Sequence, residues 1–218
     1  MAYCTTSDVR AICGLTTTDI SDADLTTLIT MATYQLNADI NIKSNREKVE
    51  YIDSTRKNDL DSSTTKFYVK KWKDYCIGDL DNDGSVSLSD ILAYLVDGSG
   101  TETTATVSSI DPDNGNFTLS SAPSADYHLY VTYVYSTRSE YEPDPLIKLA
   151  CAKLASAYAM TRLDATKFSS YSIGKMRIAR ITDGFKRLYT EYKQIISQIK
   201  SFPIKKETSA DVTSVVFP

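Results

Sequence analysis

Apolar residues recur at three-and-four spacing near both ends of the chain, and alternate through its middle. Thr5-Thr6-Ser7-Asp8 opens the first helical pattern, in which Val9, Ile12 and Cys13 share a side and Gly14 is the stop. Ser21 with Asp24 starts a second helix, with Leu25, Leu28, Ile29, Ala32 and Leu36 on one stripe to about Ile40. Asp144-Pro145 starts a third, because Asp caps and Pro fits the first helical position. It is Ala-rich and runs to about Leu163, with small residues that let a neighbouring helix approach. A last helix is predicted from near Thr182-Asp183, with Phe185, Leu188, Tyr192, Ile195, Ile196 and Ile199 as its stripe and Pro203 beyond it.

The middle reads as strands. Lys66 to Trp72, Thr104 to Ile110, Asn116 to Ser120 and Tyr127 to Ser136 alternate, and Asp111-Pro-Asp-Asn-Gly115 is hairpin turn chemistry. Arg46 to Ile52 fits either a short strand or a helix end, and Phe168 to Arg180 mixes turn and strand signals. The expected fold is α+β: helical segments at 1–45 and 139–203, an antiparallel β insert at 46–138, and an extended arm at 204–218. The arm ends on the apolar Val212, Val215, Val216 and Phe217, which suit docking on another subunit.

One stretch carries chemistry. From Asp79 to Asp90 the chain reads Asp-Leu-Asp-Asn-Asp-Gly-Ser-Val-Ser-Leu-Ser-Asp. Asp79, Asp81 and Asp83 offer carboxylates at loop positions one, three and five, and Gly84 allows the sharp turn at six. Ser85 offers a backbone carbonyl at seven and Asp90 a carboxylate at twelve. Carboxylates so close together repel without a cation, and an all-oxygen flexible loop favours Ca2+ in a structural role. Position twelve is Asp, not Glu, which shortens its reach. An exiting helix is expected from Leu88, Ile91, Leu92, Leu95 and Val96, while Lys66 to Trp72 before the loop looks like a strand. A loop with one exiting helix resembles a single dockerin-type repeat. The bland alternative is an Asx-rich surface turn without metal.

Composition narrows the rest. The chain has 218 residues, with net charge −4, so no basic footprint argues for nucleic-acid binding. Lys66, Lys70, Lys71 and Lys73 read as a solvated strand face. No signal peptide and no membrane span are expected. Cys4, Cys13, Cys76 and Cys151 show no CxxC spacing, and with His128 as the one histidine a zinc site is not expected. Buried free thiols made in a reducing compartment are the expectation. No Gly-rich phosphate loop, G-x-S-x-G or HExxH is present, so enzymatic activity is not expected.

The opening Thr5-Thr6-Ser7-Asp8-Val9-Arg10-Ala11-Ile12-Cys13-Gly14-Leu15, followed by Asp19 to Leu25, resembles the N-terminus of head–tail connector (adaptor) proteins of tailed viruses. Asp144-Pro145 is similar to the start of that family's penultimate helix, and Tyr171 to Ile178 to the short hairpin before its last helix. The resemblance covers about residues 1–40 and 140–200, and a β insert is an addition to it. A β domain with a dockerin-like loop is similar to the decorated connectors of archaeal tailed viruses. The resemblance implies a small helical bundle that assembles as a homo-oligomeric ring, usually of twelve copies, under the portal protein. Tail or stopper proteins would meet its other side, and genomic DNA would pass through without sequence-specific contact. Its place would be the virion neck, after assembly in the host cytoplasm. The alternative from the loop alone is a calcium-dependent docking or adhesion module.

Overall fold

The computed structural model describes residues 2–50, 52, 56–71, 75–167 and 175–201. Thr5 opens α1 (Thr6–Cys13) through a reciprocal capping box: its hydroxyl accepts from the Asp8 amide, and the Asp8 carboxylate accepts from the Thr5 amide. Gly14 closes α1 at φ 68°, a left-handed conformation that costs glycine nothing, and donates to the Arg10 carbonyl. The Ser21 hydroxyl accepts from the Asp24 amide at 3.1 Å and starts α2 (Asp22–Ile40). The Asp144 carboxylate accepts from the Leu146 amide at 2.8 Å and starts α3 (Pro145–Lys167), and α4 (Lys175–Ser201) follows.

These four helices share one apolar core. Leu25, Leu36 and Ile40 of α2 meet Ile147 and Leu154 of α3 and Tyr192, Ile195 and Ile199 of α4. Ala150, Ala152, Ala155, Ala157 and Ala159 are all buried, which is how α3 takes neighbours on several sides. Tyr192 is fully buried, yet its hydroxyl donates to Asp39 Oδ2 at 2.6 Å. Tyr3 and Cys4 lead into α1 from inside the same core.

Between α2 and α3 the described residues form eight strands: β1 (Ile42–Lys48), β2 (Lys66–Tyr68), β3 (Cys76–Ile77), β4 (Leu92–Val96), β5 (Glu102–Ala105), β6 (Val107–Asp111), β7 (Asn116–Leu119) and β8 (His128–Ser136). One sheet runs β1-β8-β4-β5, with β3 pairing the last residues of β8, and the other runs β2-β7-β6. Every pairing is antiparallel. Phe67, Phe117 and Leu119 of one sheet share a core with Leu129, Val131 and Tyr133 of the other. The rings of Phe67 and Phe117 sit 5.9 Å apart. The fold is thus mixed α+β, with four helices and antiparallel sheets among the described residues. No helix among them is long and apolar enough to cross a membrane.

Three local expectations are corrected. The exiting helix after the acidic loop is a single 3-10 turn (Leu88–Asp90) followed by β4. Ile91 and Ala93 are buried while Leu92 is 42% exposed, a period of two, because β4 is bonded on both sides by β8 and β5. The strand expected from Thr104 to Ile110 is two strands, β5 and β6, which break at Thr106 and belong to different sheets. The expected hairpin at 171–178 and helix start near Thr182 give way to α4 from Lys175, with 171–174 outside the described residues. Trp72, Lys73 and the arm at 204–218 also lie outside them.

Candidate metal centre at the helix–sheet junction

The acidic loop connects β3 to β4 and lies where the sheets meet the helical core. Asp79, Asp81 and Asp83 each bring a carboxylate oxygen within 4.8 Å of the others, so this cluster could hold a metal ion. Asp79 is buried, and Asp81 and Asp83 are exposed. The backbone wraps around Asp79. Its Oδ1 accepts from the Asp83 amide at 3.1 Å and its Oδ2 from the Gly84 amide at 2.8 Å. Asn82 (φ 62°) and Gly84 (φ 84°) take the left-handed conformations that this tight wrap requires.

The other two predicted ligands stand differently. The Ser85 amide and hydroxyl both donate to Asp83 Oδ1, at 2.8 and 2.7 Å. Asp90 is fully buried and holds the loop's backbone. Its Oδ1 accepts from the Leu80 and Asp81 amides at 2.6 and 3.3 Å, and its Oδ2 from the Ser87 amide at 2.7 Å. It therefore sits beside the cluster of three. Val212, Val215, Val216 and Phe217 lie outside the described residues. His128 is exposed at the start of β8, opposite Val96.

Four residues unforeseen from the sequence complete the junction. Asn37, near the end of α2, donates to Asp79 Oδ2 at 2.8 Å. Glu140, just before α3, accepts through Oε2 from the Asp79 amide at 2.9 Å and from Asn41 Nδ2 at 3.3 Å. The Tyr3 hydroxyl lies 2.8 Å from Asn37 Oδ1 and 2.9 Å from Glu140 Oε2, with one proton to give. Asn41 Oδ1 and Glu140 Oε1 are buried without a hydrogen-bond partner. A polar residue on an apolar helix face was the one available signal, and it marks Asn37. Nothing in the sequence marks Glu140.

The electrostatics are lopsided. Asp79, Asp90 and Glu140 are 1%, 0% and 2% exposed, and no cationic side chain among the described residues pairs with them. Burial pushes Asp79 and Glu140 up to about 6, and pushes Asp90 up as well. Burial and the neighbouring carboxylates Glu140 and Asp79 push the Tyr3 phenol up, which keeps it a neutral donor. A divalent ion at Asp79, Asp81 and Asp83 would supply the missing positive charge, so the donor set fits one. A groove of about 520 Å³ between the C-terminal half of α2 and the loop, lined by Tyr34, Asn37, Asn41, Lys43, Asp79 and Asp81, gives solvent access to it.

Comparison with protein-family models, with curated proteins and with solved structures finds no match to this chain.

Proposed function

We propose that this chain is a structural subunit of the head–tail connector of a tailed virus, and that Ca2+ bound by Asp79, Asp81 and Asp83 steadies its β insert against its helical core. The observation that carries the reading is a convergence. The two stretches that resemble connector proteins lie about a hundred residues apart in sequence. Their helices nevertheless share one apolar core, and the intervening strands have a core of their own. That is the arrangement expected of a connector bundle with an inserted domain.

Calcium is favoured over magnesium because the donors are carboxylates and carbonyls on a loop whose turns allow more than six ligands. The Ser85 carbonyl would join the three carboxylates, and Asp90 would keep the loop's amides in place. A subunit of this kind joins a homo-oligomeric ring, meets the portal on one side and tail or stopper proteins on the other, and lets DNA pass. Ring closure needs heterologous contacts, in which each copy gives one surface and receives another.

The mass of the purified full chain in solution, measured by light scattering with Ca2+ and with chelator, alone and with a portal ring, tests this. A closed oligomer, or a monomer that joins a ring when portal is added, is expected. A monomer indifferent to portal that binds a separate protein or glycan only with Ca2+ would sink the connector reading in favour of a docking module. Calorimetric titration of Ca2+ into the chain and into Asp81→Asn tests the ion. Equal affinity in both would remove Asp81 from the site.

A further inference from the structure

Cys4 and Cys151 are 147 positions apart in sequence, yet their sulfurs lie 3.4 Å from each other in the helical core. Cys4 is 5% exposed and Cys151 0%. Cys4 sits in the segment just before α1, and Cys151 in the first third of α3. The contact belongs to a short chain of hydrogen bonds. The Thr33 hydroxyl donates to the Ile29 carbonyl at 3.0 Å and lies 3.6 Å from Cys151 Sγ. Cys4 donates to Cys151 Sγ, and the Thr33 hydroxyl lies within hydrogen-bond reach of the same sulfur. The other thiols are engaged elsewhere: Cys13 donates to the Val9 carbonyl at 3.0 Å, and Cys76 is in β3.

We propose that Cys4 and Cys151 form a covalent modification site, which a peroxide converts into an intramolecular disulfide that fastens the segment before α1 to α3. The sulfurs must close from 3.4 Å to about 2.05 Å. Cys4 precedes the helix and can supply that movement without disturbing α3. The donated S–H of Cys4 holds the Cys151 thiol below its ordinary range, while that same contact and burial hold Cys4 above it. Of the two sulfurs Cys151 is therefore the one that ionises first and attacks.

The chemistry balances with hydrogen peroxide as oxidant. The Cys151 thiolate attacks one peroxide oxygen, the O–O bond breaks, and hydroxide leaves and takes up the thiol proton as water. Cys151 is now a sulfenic acid. The Cys4 sulfur attacks that sulfur, the S–S bond forms, the S–O bond breaks, and a second water leaves with the Cys4 proton. Two thiols are oxidised and one peroxide is reduced to two waters. The resulting bond closes a loop of well over a hundred residues, which restricts the unfolded chain strongly. Because Tyr3 is the neighbour of Cys4, the bond also holds the Tyr3 hydroxyl at the junction. Nothing in this depends on an ion in the acidic loop.

The test uses the full reduced chain, treated with a small excess of hydrogen peroxide, alkylated under denaturing conditions and read by intact and peptide mass spectrometry. The expected product has lost two hydrogens, carries alkyl groups on Cys13 and Cys76 only, and yields one cross-linked peptide containing Cys4 and Cys151. Its melting temperature rises by roughly 5–15 °C and returns to the starting value with reductant. Cys4→Ser shows neither the cross-link nor the rise. Four alkylated cysteines after oxidation, a sulfinic acid at Cys151, cross-links between chains, or a Cys4–Cys151 bond with unchanged melting temperature would each overturn the proposal.

Discussion

Gly78 lies between β3 and the acidic loop, and Gly78→Ala tests how tightly the junction is built. A Cβ at this position would meet Glu140 Oε1 at 3.0 Å, Glu140 Oε2 at 3.1 Å and Asn41 Oδ1 at 3.2 Å. Ordinary contacts begin near 3.4 Å, so the oxygens must retreat by 0.2 to 0.4 Å. They are poorly free to do so. Glu140 Oε2 is held by the Tyr3 hydroxyl, the Asp79 amide and Asn41 Nδ2, so retreat lengthens bonds now at 2.9, 2.9 and 3.3 Å. Overpacking of this size costs about 1–3 kcal/mol, and a weakened bond to a charged acceptor adds a fraction of its 1.5–3 kcal/mol. Gly78 has no positive φ, so alanine recovers about 0.4–1 kcal/mol through the unfolded chain. The net loss is about 1–3 kcal/mol, or a melting temperature roughly 3–10 °C lower for a chain of this length. Gly98→Ala is the control: it also lacks a positive φ, and nothing lies within 4 Å of its Cβ position, so it should melt unchanged or slightly higher. Melting curves by circular dichroism at pH 7 decide the matter. A Gly78→Ala melt at or above wild type would refute the view that Glu140 and Asn41 are fixed in place.

Other perturbations probe other parts. In metal-free buffer, stability should fall by on the order of 2–4 kcal/mol between pH 4 and pH 7, as Asp79 and Glu140, held up to about 6, lose protons that the unfolded chain has already lost near pH 4. Carboxylates held low, such as Asp61 at about 2, act below that window, so urea melts flat or rising from pH 5 to 7 would contradict it. Phe67→Ala should cost about 3–5 kcal/mol in urea unfolding, because the ring is fully buried against Phe117; a loss under 1 kcal/mol would mean that the two sheets do not share a core. Tyr192→Phe keeps the ring and removes the bond to Asp39, for a loss of about 1–2 kcal/mol that mutation of Asp39 to Asn should largely absorb in a double-mutant cycle.

Local chemistry was legible where it is settled by neighbours in sequence. Thr5 with Asp8, Gly14, Ser21 and the Asp144-Pro145 start all sit where their side chains dictate. The turn from Asp111 to Gly115 is a hairpin between β6 and β7, with the Asn114 amide donating to Asp111 Oδ1 at 3.0 Å. The alternation of Asp79, Asp81 and Asp83 and the turn at Gly84 were equally readable. Leu88 to Val96 misled because its apolar positions satisfy a helical spacing and a strand alternation together, and pairing with β8 and β5 chose between them. The break at Thr106 depends on which sheet each half joins, which no short window contains. Glu140 was invisible for the same reason: its role is set by Tyr3, Asn41 and Asp79, all far away in sequence.

The chain leaves the helical core past Asn41 and returns through Glu140, and both residues meet at Asp79. The two tethers of the β unit and its acidic loop therefore close on one polar network. An apolar contact there would tolerate sliding, whereas directional bonds from Asn37, Asn41 and Tyr3 admit one orientation. The cost of that choice is three buried carboxylates that no cationic side chain among the described residues pairs with. Protons can relieve it below about pH 6, and a divalent ion held by Asp79, Asp81 and Asp83 would relieve it above. The Asn37 bond to Asp79 Oδ2 links that ion position to α2. An ion bound in the loop would therefore pull on the same hydrogen-bond network that joins α2 to the strands.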